Sequence, residues 1–193
     1  MKRLDCMRKL AEWLDGEVIT VTNLTTNASH WTAVWDKGPR FYGVHMGLCL
    51  PFACGLSLAF PKRQVVALDG DGSLMVDTSA LLTVADVDPP NLLAIVFDNQ
   101  SYSNMGHTAT SRKANLAEVA RGAGIERSRL VSTEGEFERV VKEALVTSAL
   151  TFVVAKIDPG REPVDSDYYR TAGRPMKEFF VERIRRLPDY RGQ

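Results

Sequence analysis

Two short segments of this chain carry residue types that could do chemistry together. The first is Gly70-Asp71-Gly72-Ser73, two glycines around a carboxylate. Glycine lets backbone approach a ligand closely and adopt positive φ. A helix beginning there presents unpaired N–H groups and the positive end of its dipole, which suits a phosphate. An exposed Asp in the same place repels a phosphate unless a cation lies between them, and Mg²⁺ accepts carboxylate and phosphate oxygens together. The second segment is Asp98-Asn99, with Asn99 28 residues after Asp71. An Asn oxygen is a neutral hard ligand that Mg²⁺ accepts, and carbonyls of the following loop could complete its shell. Each segment also has a plainer reading: a tight turn with Asp71 as a helix cap, and an Asn that opens a turn. Taken together they favour a metal–diphosphate site.

The elements around these segments are what must bring them together. Gln64 to Leu68 is a short apolar run that ends at Asp69-Gly70-Asp71-Gly72-Ser73. A helical stretch begins there, with Leu74, Leu81, Leu82 and Ala85 as its apolar face and Asp88-Pro89-Pro90 as its stop. Leu92 to Phe97 is a second apolar run, ending at Asp98-Asn99. Strand, helix and strand of these lengths predict a βαβ unit with parallel strands. Upstream, Leu4, Met7, Leu10, Ala11 and Leu14 fall at helical spacing, and Gly16 ends that helix. Val18 to Thr22 predicts a buried strand, Asn23 to Pro39 a polar irregular segment, Arg40 to Val44 another strand, and Met46 to Phe60 a helix with Pro51 in or near its first turn. Downstream, a polar loop runs from Gln100 to Lys113 and a short helix from Asn115 to Ala123. Thr133 and Glu136 form a capping-box signature ahead of a further helix, and Thr151 to Ile157 is a last strand. The pattern predicts an α/β fold, a doubly wound, mostly parallel sheet with helices on both faces. Such sheets bind ligands beyond the carboxyl ends of their strands, where both loaded segments fall. Residues 1–160 are expected to form the binding domain and residues 161–193 a charged extension, with a short helix around Lys177–Leu187, that wraps the domain or a neighbour.

Gly70-Asp71-Gly72, 25 residues, then Asp98-Asn99 resembles the thiamine diphosphate signature, in which GDG is followed at this interval by NN. Asp98 stands where the first, more variable Asn is usual. The resemblance implies thiamine diphosphate and Mg²⁺ as cofactors, with Mg²⁺ held by the Asp71 carboxylate, the Asn99 side-chain oxygen and the Ser101 backbone carbonyl. It implies that Gly70, Gly72, Ser73 and Tyr102 line the cofactor site, with Ser73 bonding the diphosphate. Phe41 to Leu48 is similar to the segment that family members place beneath the cofactor. Met46 matches the apolar wedge that holds the two rings in a V, and the Val44 carbonyl matches the acceptor for the pyrimidine amino group. Val44 and His45 replace small residues, which bears on the substrate pocket.

The family needs a second, pyrimidine-binding module that supplies a catalytic Glu, so the resemblance implies a separate partner subunit. From about Val18 to Lys156 the chain resembles the β subunit of sulfopyruvate decarboxylase and the C-terminal part of phosphonopyruvate decarboxylase. That implies decarboxylation of a short, acidic 2-oxoacid by a two-chain enzyme. Those enzymes continue after Tyr102 into a loop ending Gln-Pro-Thr. Here Ser103 to Thr110 keeps Gly106 and Thr110 but has Thr108 and Ala109 in place of Gln and Pro. His45, beside the wedge, and His107, in the loop nearest the reactive end, are the candidate catalytic residues, each with a structural or surface alternative. His30 is read as structural or as an interface residue. The rival functions are a carboligase or synthase of the same superfamily and a non-catalytic cofactor-binding module.

Composition narrows the class further. The chain has 193 residues, 45% hydrophobic and 25% charged, as a soluble globular domain does. Twenty-four Lys and Arg balance twenty-four Asp and Glu, which argues against nucleic acid as a partner and favours association with protein. Three cysteines without a CxxC argue against a disulfide framework, a zinc ribbon or an iron–sulfur cluster. Phe41 to Phe60 is free of Lys, Arg, Asp and Glu, but Pro51 and its glycines favour a buried helix over a membrane span. With no leader pattern at the start, the cytoplasm is the expected location.

Overall fold

A computed structural model describes residues 1–102 and 105–190, so the predicted loop positions Ser103 and Asn104 and the last three residues of the tail lie outside the described residues. The β-branched and apolar runs form β1 (Ile19–Asn23), β2 (Arg40–Val44), β3 (Val65–Gly70), β4 (Leu92–Asp98), β5 (Ser128–Val131) and β6 (Thr151–Lys156). They pair in the order β2-β1-β3-β4-β6-β5, every pair parallel. The helices are α1 (Arg3–Trp13), α2 (Thr26–Val34), α3 (Cys49–Ala59), α4 (Asp71–Leu74), α5 (Ala80–Val87), α6 (Leu116–Gly122), α7 (Glu134–Val146), α8 (Tyr168–Thr171) and α9 (Arg174–Arg185).

The period of two along each central strand sends alternate side chains into separate cores. Val65, Ala67, Leu92, Ala94, Val96, Phe152 and Val154 join residues of α3, α5, α6 and α9 on one face. Val66, Leu68, Leu93, Ile95, Phe97, Val153 and Ala155 join α1, α7 and the α2 tryptophan Trp31 on the other. Sheets covered on both sides read as near-continuous apolar runs, and every residue of β4 is buried. The three cysteines are free and buried.

Several sequence expectations hold closely. β2 and α3 share the charge-free segment, and Pro51 lies in the first turn of α3, where a missing N–H leaves no bond unmade. Among the described residues no helix is long and apolar enough to cross a membrane. The capping box is formed: the Glu136 amide donates to Thr133 Oγ1 (3.3 Å) and the Thr133 amide to Glu136 Oε2 (3.1 Å).

Three features differ from the sequence reading. Asn23 to Pro39 contains α2, anchored by Ala28, Trp31 and Trp35 at i, i+3 and i+7, all buried. Trp31 stacks on Trp35 at 5.5 Å and donates its Nε1–H to Thr20 Oγ1 at 3.0 Å. The polar side chains that suggested a loop are turned inward instead: Asn27, Ser29 and His30 are buried. The helix after Gly70 breaks into α4 and α5, so Leu82 is exposed while Leu81 and Val84 are buried. The edge strand β5 has four residues, its ends Ser128 and Val131 buried and Arg129 and Leu130 exposed, too short and irregular to show as a periodic run.

The tail returns across the domain. His30 Nε2 lies 2.9 Å from the Glu162 carbonyl, Tyr42 donates its hydroxyl to Thr171 Oγ1 (2.7 Å), and Phe180, Ile184 and Leu187 enter the first core.

Candidate functional site

The strand order reverses its direction of growth between β1 and β3, and at such a switch point the loops leaving the two strand ends diverge and open a crevice. Four adjacent strands deliver their following loops to this edge: Met46 after β2, Asn23–Asn27 after β1, Gly70–Ser73 after β3 and Asn99–Tyr102 after β4. These loops line one cavity of about 300 Å³, together with Arg3, Phe97 and Met105.

Register brings the two predicted metal-binding residues to one edge. Gly70 pairs with Phe97, so Asp71 leaves β3 beside Asp98, the last residue of β4, and Asn99 follows it. Asp71 is buried, and its Oδ2 accepts from Thr108 Oγ1 (2.7 Å) and Thr110 Oγ1 (3.3 Å). Burial pushes its carboxyl pKa up, donation by Thr108 opposes that, and the charge of Asp98 adds to it. Asp98 is itself buried and fully engaged. Its Oδ1 accepts from Thr110 Oγ1 (2.7 Å) and its Oδ2 pairs with Lys156 Nζ (2.6 Å), its register partner on β6. Asn99 is half-buried at the cavity wall, its Oδ1 accepting from the Ser101 amide (3.2 Å).

Glycine is required at two places here. A Cβ on Gly72 meets the Tyr102 ring at 2.6 Å, so only glycine lets that ring close over the turn. Gly47 has φ of 83°, and a Cβ there lies 3.1 Å from that of Asp77. Strain is stored at the rim as well. Thr25, a β-branched residue, has φ of 66°, and Gln100 has φ of 62°.

The sequence candidates divide as follows. Met46, Gly70, Asp71, Gly72, Ser73, Asn99, Ser101 and Tyr102 line the cavity. Val44 is buried and outside the lining, and its carbonyl already accepts from the Leu24 amide (2.9 Å). His45 is exposed beside Met46. His107 is exposed too, bridged to Ser101 and lining a neighbouring hollow with Gln100, Ser111 and Arg112.

Residues not foreseen from sequence complete the wall. Thr108 and Thr110 position the two carboxylates, and Lys156 balances one of them. Asn23 and Asn27 face the cavity from β1 and α2, linked by a bond from Asn27 Nδ2 to Asn23 Oδ1 (2.8 Å). Arg3 enters from α1. No sequence spacing relates α1 to β3, so only folding could reveal that proximity.

Two polar groups of the wall, Ser73 Oγ and Arg3 Nε, can donate to a diphosphate, whereas Asn27 Oδ1 can only accept. Among the described residues Ser73 Oγ, Asn27 Oδ1 and Arg3 Nε are buried without a hydrogen-bond partner, and all three residues line the cavity. Thr22 Oγ1, His30 Nδ1, Trp35 Nε1, Arg40 Nε and Asp69 Oδ2 are also buried without a partner, so what marks the cavity is that three such atoms gather at one wall, where a polar ligand could supply partners. Among the described residues no cluster of three His, Cys, Asp or Glu side chains could hold a metal alone. A cation at Asp71 and Asn99 therefore needs further oxygens, which a diphosphate carries.

Comparison with known proteins agrees. The family described as "Thiamine pyrophosphate enzyme, C-terminal TPP binding domain" matches residues 21–155. The chain belongs to this family. The β subunit of sulfopyruvate decarboxylase from Methanocaldococcus jannaschii is 32% identical over 164 residues, covering 83% of this chain and 86% of that subunit. Phosphonopyruvate decarboxylase from Streptomyces viridochromogenes is 28% identical over 160 residues, covering 82% of this chain and 40% of that longer protein. A solved structure of benzoylformate decarboxylase from Polynucleobacter necessarius shares the fold, with a TM-score of 0.72 at 20% identity over 85% of this chain and 34% of that one. The expected doubly wound thiamine pyrophosphate-binding fold is thus the observed one, and the family match spans all four loops that line the cavity.

Proposed function

We propose that this chain is the diphosphate-holding subunit of a two-chain, thiamine diphosphate- and Mg²⁺-dependent 2-oxoacid decarboxylase, acting on a short substrate with a second acidic group of the sulfopyruvate or phosphonopyruvate kind. The observation that carries this reading is that Asp71 and Asn99 line one cavity whose wall also carries unpaired polar atoms. The names of the two relatives support the reaction and substrate class, and the M. jannaschii relative is itself one subunit of its enzyme.

In this reading Asp71, Asn99 and the Ser101 carbonyl hold Mg²⁺ against the diphosphate. Ser73 Oγ donates to a phosphate oxygen. Met46, half-buried on the turn after β2, props the two rings of the cofactor. The cofactor supplies the electron sink for the pair left behind when CO₂ departs, and the protein supplies binding and orientation. Among the described residues the cavity lining holds one carboxylate, Asp71, and no Glu, which supports a partner subunit as the source of the catalytic Glu. His45 and His107 are exposed on the rim, so any proton transfer by either belongs to the face that the partner completes.

Calorimetry tests the reading: the full chain is titrated with thiamine diphosphate plus Mg²⁺, then with chelator, then with the partner that co-purifies with it. Binding that needs Mg²⁺ is expected, and Asp71→Ala or Asn99→Ala should weaken it by about 100-fold, the upper range for loss of a metal-site contact. Unchanged affinity in both variants rejects the site. With the partner present, sulfopyruvate or phosphonopyruvate should release CO₂ without a ligated product. Ligated products would indicate a carboligase, and tight binding without turnover in any assembly a cofactor-binding module.

A further inference from the structure

We infer that Arg3 is a second anchor for the diphosphate, binding a terminal phosphate oxygen from the α1 side of the cavity, opposite the cation. This rests on the proposed function and names a residue that neither the GDG signature nor the Asn99 loop contains.

Arg3 is 5% exposed, and its side chain lines the cavity that Asp71, Ser73 and Asn99 also line. Its Nε has no hydrogen-bond partner among the described residues. Two acidic groups, Glu162 and Asp71, attract the guanidinium, and Arg161 repels it. Asp71 already accepts from two threonine hydroxyls. A buried guanidinium left unpaired is costly, and proteins otherwise pair such a charge or replace it with an apolar residue. Burial lowers its pKa to about 10, so it stays protonated at neutral pH.

Its position is fixed from both sides. Arg3 is the first residue of α1, whose Met7 and Leu10 are wholly buried in the second core. The chain just ahead is tied to the segment after β6: the Asp158 amide donates to the Met1 carbonyl (2.9 Å), and the Met1 ammonium pairs with Asp158 Oδ1 (3.2 Å). The guanidinium is thus held at the carboxyl edge before any ligand arrives. Its planar fork of donors suits phosphate oxygens, which accept two parallel bonds from it. The cation and Arg3 would neutralise the diphosphate from two directions, and the Ser73 hydroxyl would donate to it between them.

The test compares thiamine diphosphate, thiamine monophosphate and thiamine, each with Mg²⁺, by calorimetry on the full chain with its partner present. Arg3→Met should weaken thiamine diphosphate by about 10- to 100-fold, the range for losing a charge-assisted bond, and leave thiamine unchanged. Arg3→Lys should recover part of that loss. Without ligand, the Arg3→Met melting temperature should equal or exceed that of the wild type, because an unpaired buried charge has been removed. A purely structural arginine would lower it. Arg3→Gln keeps a polar side chain and reads the same contrast independently of any folding defect in Arg3→Met. Wild-type affinity for thiamine diphosphate in these variants, or an equal loss for thiamine, overturns the role of Arg3. A wild-type protein that binds no thiamine diphosphate overturns the proposed function itself.

Discussion

Asp98 and Ser73 lie just beyond or at neighbouring strand ends, both buried, yet their surroundings are opposite. Asp98 sits in a closed network in which Thr110, the Gln100 amide (3.1 Å) and Lys156 engage its carboxylate, and Lys156 also donates to the Thr110 carbonyl (3.1 Å). Ser73 Oγ makes no close hydrogen bond, although its hydroxyl favours the charged form of the Asp69 carboxyl, and Asn27 Oδ1 and Arg3 Nε have no partner. An unmade bond at a buried polar group costs about 1–3 kcal/mol, so three at one cavity are a sizeable concession by the fold. The first region spends its polar groups on holding the strand ends in register. The second leaves them facing open space, where a ligand can use them. Buried polarity therefore has two meanings at one sheet edge, told apart by whether the partners lie within the chain.

Three substitutions, ordered from the largest expected effect on stability, break or sharpen that contrast. Lys156→Met leaves Asp98 buried without its counter-ion and should destabilise the chain by about 3 kcal/mol, the lower range for breaking a buried pair. Adding Asp98→Asn should restore most of it. Thermal unfolding reads both, and a loss below about 1 kcal/mol for Lys156→Met alone would mean that the network is not what holds the edge.

Gly72→Ala puts a methyl into the Tyr102 ring and should cost about 2 kcal/mol, as overpacking does. Tyr102→Ala in the same chain should relieve that cost without restoring cofactor affinity. Were the double variant as unstable as Gly72→Ala, the glycine would be serving the backbone instead of the ring.

Ser73→Ala should change stability little, by less than about 1 kcal/mol, since what the free chain loses is a weak interaction with the Asp69 carboxyl. It should still weaken thiamine diphosphate by about tenfold in calorimetry, the worth of one hydrogen bond to a charged group. A clear loss of stability in the unliganded variant would move Ser73 into the satisfied region and erase the distinction.

Much of this architecture was legible beforehand. Runs such as Leu92 to Phe97 can only be strands covered on both faces, and the capping box announced α7. The Gly70–Ser73 and Asp98–Asn99 segments were readable because glycine, carboxylate and amide at strand ends have few other uses. The α2 helix was hidden because its buried Asn27, Ser29 and His30 are residue types that usually mark loops, while its apolar anchors are only Ala28, Trp31 and Trp35. The helix expected after Gly70 was drawn too long because apolar spacing does not register the five-residue break between α4 and α5.

By itself the sequence determined every strand but β5, their parallel pairing around β3 and β4, and the chemistry at their ends, because these depend on local periodicity and on residue types close together in the chain. Tertiary structure alone decided that Asp98 is neutralised by Lys156, that Thr108 and Thr110 hold the carboxylates, and that Arg3 faces the same cavity as Asp71. Those relations join residues from 12 to 68 positions apart. They arise from sheet order and helix packing, which no local spacing encodes.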